Sequence, residues 1–132
     1  MFVHGWTCDH SVWNEQAPLF SKYRSILIDL PVHGASDAPD IEYSIELFAR
    51  SIHTIIREEE IKEVVLIAHS MGGPVSTMFL RLFAEAVSAI VYVDTFVWLP
   101  WHYHTQNDRR LDAQRLQGDE TFEAFLEIMW SN

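Results

Sequence analysis

Apolar and polar residues are arranged along this chain in two alternating rhythms. Short continuous apolar runs, rich in β-branched residues, occur at 25–30, 64–67 and 89–94. They predict strands buried on both faces. Residues 1–3 read as the last part of another strand. Between the runs, apolar residues recur every three or four positions. Ile45, Phe48, Ile52, Ile55 and Ile56 follow Ser44, a good cap residue, and predict a helix ending near Glu60. Val75, Met78, Phe79, Leu82 and Phe83 predict a second helix. Val12, Trp13, Ala17, Leu19 and Phe20 suggest a shorter one, capped by Ser11 and ended by Pro18. Residues 31–39 are dense in turn formers. Strands alternating with helices predict a parallel sheet covered by helices on both faces.

The stretch Leu66-Ile67-Ala68-His69-Ser70-Met71-Gly72-Gly73 carries the candidate chemistry. A buried strand runs into a tight turn of small residues, a serine, and then a helix. In one reading this turn lifts the Ser70 hydroxyl clear of the sheet as a nucleophile. The helix start then aims backbone N–H groups, that of Met71 first, at an oxyanion formed there. In the other reading Ser70 only caps the helix.

Composition narrows the class without choosing the activity. With 132 residues, the chain is long enough for one domain with a core, and 48% hydrophobic residues mark it as globular. A net charge of −10 disfavours nucleic acid and anionic membranes as partners. Cys8 is the single cysteine, so no internal disulfide is expected. No apolar run reaches the length of a membrane span, and residues 1–20 lack the pattern of a signal peptide. The expectation is a cytoplasmic protein without a membrane span.

Four motifs in order and spacing settle the fold expectation. They are His4-Gly5-Trp6 with Trp13 downstream, Asp29-Leu30-Pro31-Val32-His33-Gly34-Ala35-Ser36-Asp37, Ala68-His69-Ser70-Met71-Gly72-Gly73, and Val93-Asp94-Thr95. With them the chain closely resembles the α/β-hydrolase fold family in its serine-nucleophile branch. The resemblance implies an α/β fold with the four strands ordered second, first, third, fourth by sequence. Residues 1–95 would form an incomplete core, and 96–132 the start of a helical cap. Two departures stand out: Ala68 and Val32 each occupy a place where the family usually has glycine.

The resemblance also assigns roles. Ser70 matches the nucleophile, and the backbone N–H groups of Met71 and Trp6 match the oxyanion donors. A residue after a strand end and a glycine, as Trp6 is, can also present its N–H on physical grounds. Asp94, at the carboxyl end of its strand, is either the acid of the triad or a loop brace. His4, His33 and His69 match loop or packing positions, and Asp29 and Asp37 match structural loop aspartates. The family draws its catalytic histidine from beyond the last strand. His102 and His104 do not match that position, so the chain reads as cut at both ends and short of its base. Trp98, Trp101 and Tyr103 suggest an apolar rim to a substrate pocket. Phe122, Phe125, Leu126 and Met129 form one helical stripe in the cap segment. No cofactor or metal is implied, and the partner expected is a small-molecule substrate. Exposed sheet edges would favour self-association. The function implied is hydrolysis of an ester or related carbonyl compound through an acyl-enzyme. Serine at the elbow argues against the dehalogenase and epoxide-hydrolase branches, which use aspartate. The alternatives are a non-catalytic small-molecule binding module and an inactive truncated gene product.

Overall fold

The computed structural model describes residues 1–95. Its elements are β1 (Phe2–Val3), a 3-10 segment (His10–Gln16), α1 (Ala17–Phe20), α2 (Ile45–Glu58), β2 (Val64–His69), α3 (Gly72–Leu82), a second 3-10 segment (Ala84–Ala86) and β3 (Val87–Val93). The strands form a parallel sheet in the order β1-β2-β3. Phe2 lies opposite Ile67, and Ile67 opposite Val91. Residues 25–30, expected as a full strand, contribute one bridge, Leu27 to Phe2, on the outer side of β1. Two backbone hydrogen bonds hold it, Phe2 N–H to Ile26 O at 2.8 Å and Ile28 N–H to Phe2 O at 3.5 Å. A two-residue partner offers no more ladder than that. The lateral order still matches the expected one.

The helix α2 forms as its pattern predicts. Ser44 Oγ accepts from Leu47 N–H at 3.1 Å, and Ile45, Phe48, Ala49, Ile52 and Ile56 are buried. The first helix differs from expectation. Asp9, not Ser11, caps the 3-10 segment by accepting from Ser11 N–H. Pro18 falls in the first turn of α1 instead of ending it, where a missing N–H costs nothing.

Helices lie on both faces of the sheet. Gly72 of α3 sits against Val3, and Thr77 shares a 2.9 Å hydrogen bond with Tyr92. On the opposite face Trp13 packs on Phe2, with ring centroids 5.2 Å apart. The core between sheet and helices includes Val3, Leu30, Ile52, Leu66, Val75 and Phe79. The strands are not buried on both faces as expected. In β2 burial alternates, with Val64, Leu66 and Ala68 buried and Val65 open, and Val91 and Val93 of β3 are exposed beside it. Their face lies opposite α3, which covers the other side chains of each strand.

Candidate active site

The carboxyl ends of β1, β2 and β3 and the start of α3 meet around Ser70. Leaving β2, the chain turns at Ser70 with φ 50°, a left-handed conformation that costs a non-glycine residue about 1 kcal/mol or more. Met71 then leads into α3. Helix capping does not explain the serine: the N-cap position is Met71, and no side chain caps α3. The turn is held through its backbone. Ser70 N–H donates to Val93 O at 3.4 Å, and Ser70 O accepts from Gly73 N–H at 2.9 Å and from Thr95 Oγ1–H at 2.6 Å.

Small residues make this closeness feasible. A Cβ on Gly72 would collide with the Val3 carbonyl oxygen and lie 3.0 Å from that of His4. One on Gly5 would lie 2.9 Å from Ser70 Cβ and 3.1 Å from His69 Nδ1. Ala68, two residues before Ser70, is fully buried.

The loop carrying Trp6 is fixed from beneath by His4. Its Nδ1–H donates to Gly5 O at 2.8 Å, and its Nε2 accepts from Leu30 N–H at 3.0 Å. Those partners require the neutral ring. Burial, the largest influence, pushes the His4 pKa below the ordinary 6.5, against the raising effect of the Gly5 carbonyl bond. The unfolded chain therefore takes up a proton near pH 6.5 that the folded chain refuses, so the unfolded state binds more protons below that pH. Stability must then fall as pH drops through 6.5. Urea unfolding is expected to show stability falling from this group as pH drops from 7.5 to 5.5. In His4→Gln that loss should shrink, although the variant is less stable at pH 7.5. An unchanged slope would refute the assignment.

Trp6 itself is 51% exposed, its indole edge-on to His33. His33 donates from Nδ1 to Pro31 O at 2.8 Å and packs against His4 and Phe48. Asp29 braces the same loops, accepting from His10 N–H at 2.7 Å and Ala35 N–H at 2.9 Å. Burial works to raise the Asp29 pKa, but these bonds and His10 together hold it below the usual carboxylate value. Asp9, His10 and Asp29 bring one ligand atom each within 4.8 Å of one another. The Asp29 oxygens are already engaged by those N–H donors, so the cluster reads as a loop brace.

Val32 explains one departure noted in the sequence. His33 N–H donates to Leu30 O at 3.0 Å, closing a turn with Pro31 second and Val32 third, at φ 63°. Proline followed by a positive φ marks a type II turn, which favours glycine at that third place. A β-branched residue is strained there. Val32→Gly is expected to stabilise the chain by about 1 kcal/mol in urea unfolding, since relief of strain outweighs the added unfolded-state entropy. A loss of stability would count against the strain.

Asp94 is exposed at φ 44°, between the two residues that bond to the Ser70 backbone. His69 packs edge-on to Trp13, and its buried Nδ1 has no hydrogen-bond partner among the described residues. Trp98, Trp101, His102, Tyr103 and His104 lie outside the described residues, as does the apolar stripe 122–129. A cleft of about 700 Å³, lined by residues including Met1, Tyr23, Ile61 and Val65, opens near the amino end of β2, away from Ser70. The Thr95 contact with Ser70 carried no sequence signal beyond its place in Val93-Asp94-Thr95.

A family model described as alpha/beta hydrolase fold matches residues 1–126. The chain belongs to the alpha/beta hydrolase fold family. Similar proteins include a serine hydrolase-like protein of Danio rerio, 34% identical over 101 residues that cover 74% of this chain and 31% of that one. A putative esterase/lipase of Haemophilus influenzae is 34% identical over 95 residues, covering 71% of this hydrolase-family chain and 33% of its own. Among solved structures, an esterase from Rhodococcus sp. ECU1013 is similar with a TM-score of 0.67 and 33% identity, over 73% of this chain and 37% of that one. The matched region thus spans about a third of the relatives' length.

Proposed function

We propose that this chain is the nucleophile-bearing part of a serine hydrolase acting on an ester or related carbonyl substrate. The observation that carries the proposal is Ser70 itself. It sits at φ 50° between a parallel strand and a helix, where its side chain does not cap the helix. In the proposed reaction Ser70 Oγ attacks the substrate carbonyl carbon while a base takes its proton. The oxyanion is held by the N–H of Met71 and, from the loop fixed by His4, that of Trp6. Expulsion of the alcohol, protonated by the base, leaves an acyl-enzyme, which water then hydrolyses. Similarity to a serine hydrolase-like protein and to esterases supports this chemistry. Asp94 is the proposed acid, and Trp98, Trp101 and Tyr103 the proposed pocket rim.

No described histidine hydrogen-bonds to Ser70; both ring nitrogens of His4 and Nδ1 of His33 are engaged by backbone groups. A hydroxyl without its base turns over poorly. We therefore propose that the 132-residue chain alone hydrolyses esters at the background rate, yet is labelled slowly at Ser70 by excess fluorophosphonate. Fluoride leaves without being protonated, solvent can take the hydroxyl proton, and no second step is required. The test is incubation of the full chain with the probe, followed by peptide mass mapping. An adduct on the peptide containing Ser70 is expected, and an intact chain with no adduct there would overturn the reading.

A further inference from the structure

We propose that Thr95 is a positioning residue that sets the direction of the Met71 N–H, the candidate oxyanion donor. This rests on Ser70 being the nucleophile. Ser70 C=O and Met71 N–H are the two ends of one peptide unit, which is planar and trans, so they point in opposite directions. Whatever holds the oxygen also aims the hydrogen. The oxygen is held on one side by Gly73 N–H at 2.9 Å, a bond within the helix start, and on the other by Thr95 Oγ1–H at 2.6 Å. The second is the shorter bond and the tie from outside the turn.

The geometry around Thr95 is built for that bond. Asp94, at φ 44°, redirects the chain as it leaves β3 and brings Thr95 beneath the elbow. Gly73 leaves the space that the threonine side chain fills. A Cβ there would collide with Thr95 Oγ1 and lie 2.8 Å from Cγ2. The Ser70 N–H is held more loosely, to Val93 O at 3.4 Å. A peptide following a residue in a strained conformation relaxes by rotating unless its surroundings over-determine it. Rotation here would swing the Met71 N–H away from the substrate side. Thr95 blocks that rotation.

The test compares Thr95→Val, which keeps the shape and removes the hydroxyl, with Thr95→Ser, which keeps the hydroxyl and removes the methyl. Two readouts on the full chain are needed. The first is the rate of fluorophosphonate adduct formation at Ser70, corrected for the folded fraction. Removing one oxyanion donor outright costs on the order of 100-fold or more, so a misaimed donor in Thr95→Val should slow the reaction at least about 10-fold. Thr95→Ser should return to within about threefold of the parent. A merely structural threonine would lower the unfolding midpoint without changing the corrected rate, and that result would overturn the proposal. The second readout is amide hydrogen exchange, which does not require a reactive serine. Exchange at Gly73, whose N–H bonds to the same Ser70 oxygen, should rise about 10-fold or more in Thr95→Val, with the amides of α2 unchanged. Gly73→Ala, which displaces the same hydroxyl from the other side, should reproduce the Thr95→Val exchange pattern. If the parent forms no adduct, the nucleophile reading fails while exchange still decides the clamp. Exchange unchanged in both variants would overturn it.

Discussion

Gly72→Ala is expected to cost about 3 kcal/mol of stability and to abolish fluorophosphonate labelling of Ser70. The added methyl meets backbone, not a side chain that can swing aside. It would collide with Val3 O and lie 3.0 Å from His4 O. To make room, either β1 must leave β2, to which it is paired at only two positions, or α3 must rise from the sheet. Both movements pull apart the groups that hold Ser70. Alanine is the better helix former by up to about 1 kcal/mol, but a collision with two carbonyl groups outweighs that gain. Gly73→Ala offers the contrast, because its methyl meets the movable Thr95 side chain. Its stability loss should be clearly smaller. Urea unfolding of the three chains side by side checks the ordering, and a Gly72→Ala chain within about 0.5 kcal/mol of the parent would contradict this packing.

Ser70→Ala is expected to remove the adduct completely while changing stability by no more than about 0.5 kcal/mol. Among the described residues the bonds at Ser70 run through its backbone, so substitution removes no hydrogen bond of its hydroxyl to them. Alanine keeps the Cβ, so the strain at φ 50° stays. Ser70→Gly separates the two contributions: it too loses the adduct, but it gains up to about 1 kcal/mol as the strain disappears. A serine kept for structure would give the reverse, a Ser70→Ala chain that is clearly destabilised. Loss of reactivity together with gain of stability is the signature of a residue held in an unfavourable shape for chemistry.

The elements around this site were legible where one local cause decided them. Ser44 and the apolar stripe behind it specified α2, and the apolar run, small residues and helical stripe around Ser70 specified the elbow. Val32 could be marked as unusual from its neighbours, although only the structure shows φ 63°. What sequence hid was decided by distant partners. Residues 25–30 have the composition of a strand, yet β1 offers them little to pair with. Pro18 has two meanings, helix end or helix start, and the Asp9-capped segment before it selects the second. Burial on one face of β2 instead of two follows from which helices stand where, which a run of valines does not record. The Thr95 bond joins positions 25 apart in sequence, with no periodicity to announce it.

The pairing of β1 with β2 also bears on the order of events as the chain folds. Met1 bonds to Val65 across 64 residues of sequence, and Val3 must be in place before Gly72 can close against it. Contacts so far apart form only after a large loop has been closed, which slows folding. The helices α2 and α3, built from local contacts, can form early, whereas the tight turn at Ser70 gains its supports only when β1 and the end of β3 arrive. Its distortion therefore belongs to the late, downhill side of the folding barrier. Changes at this turn should be felt mainly in how fast the folded chain opens, and little in how fast it forms.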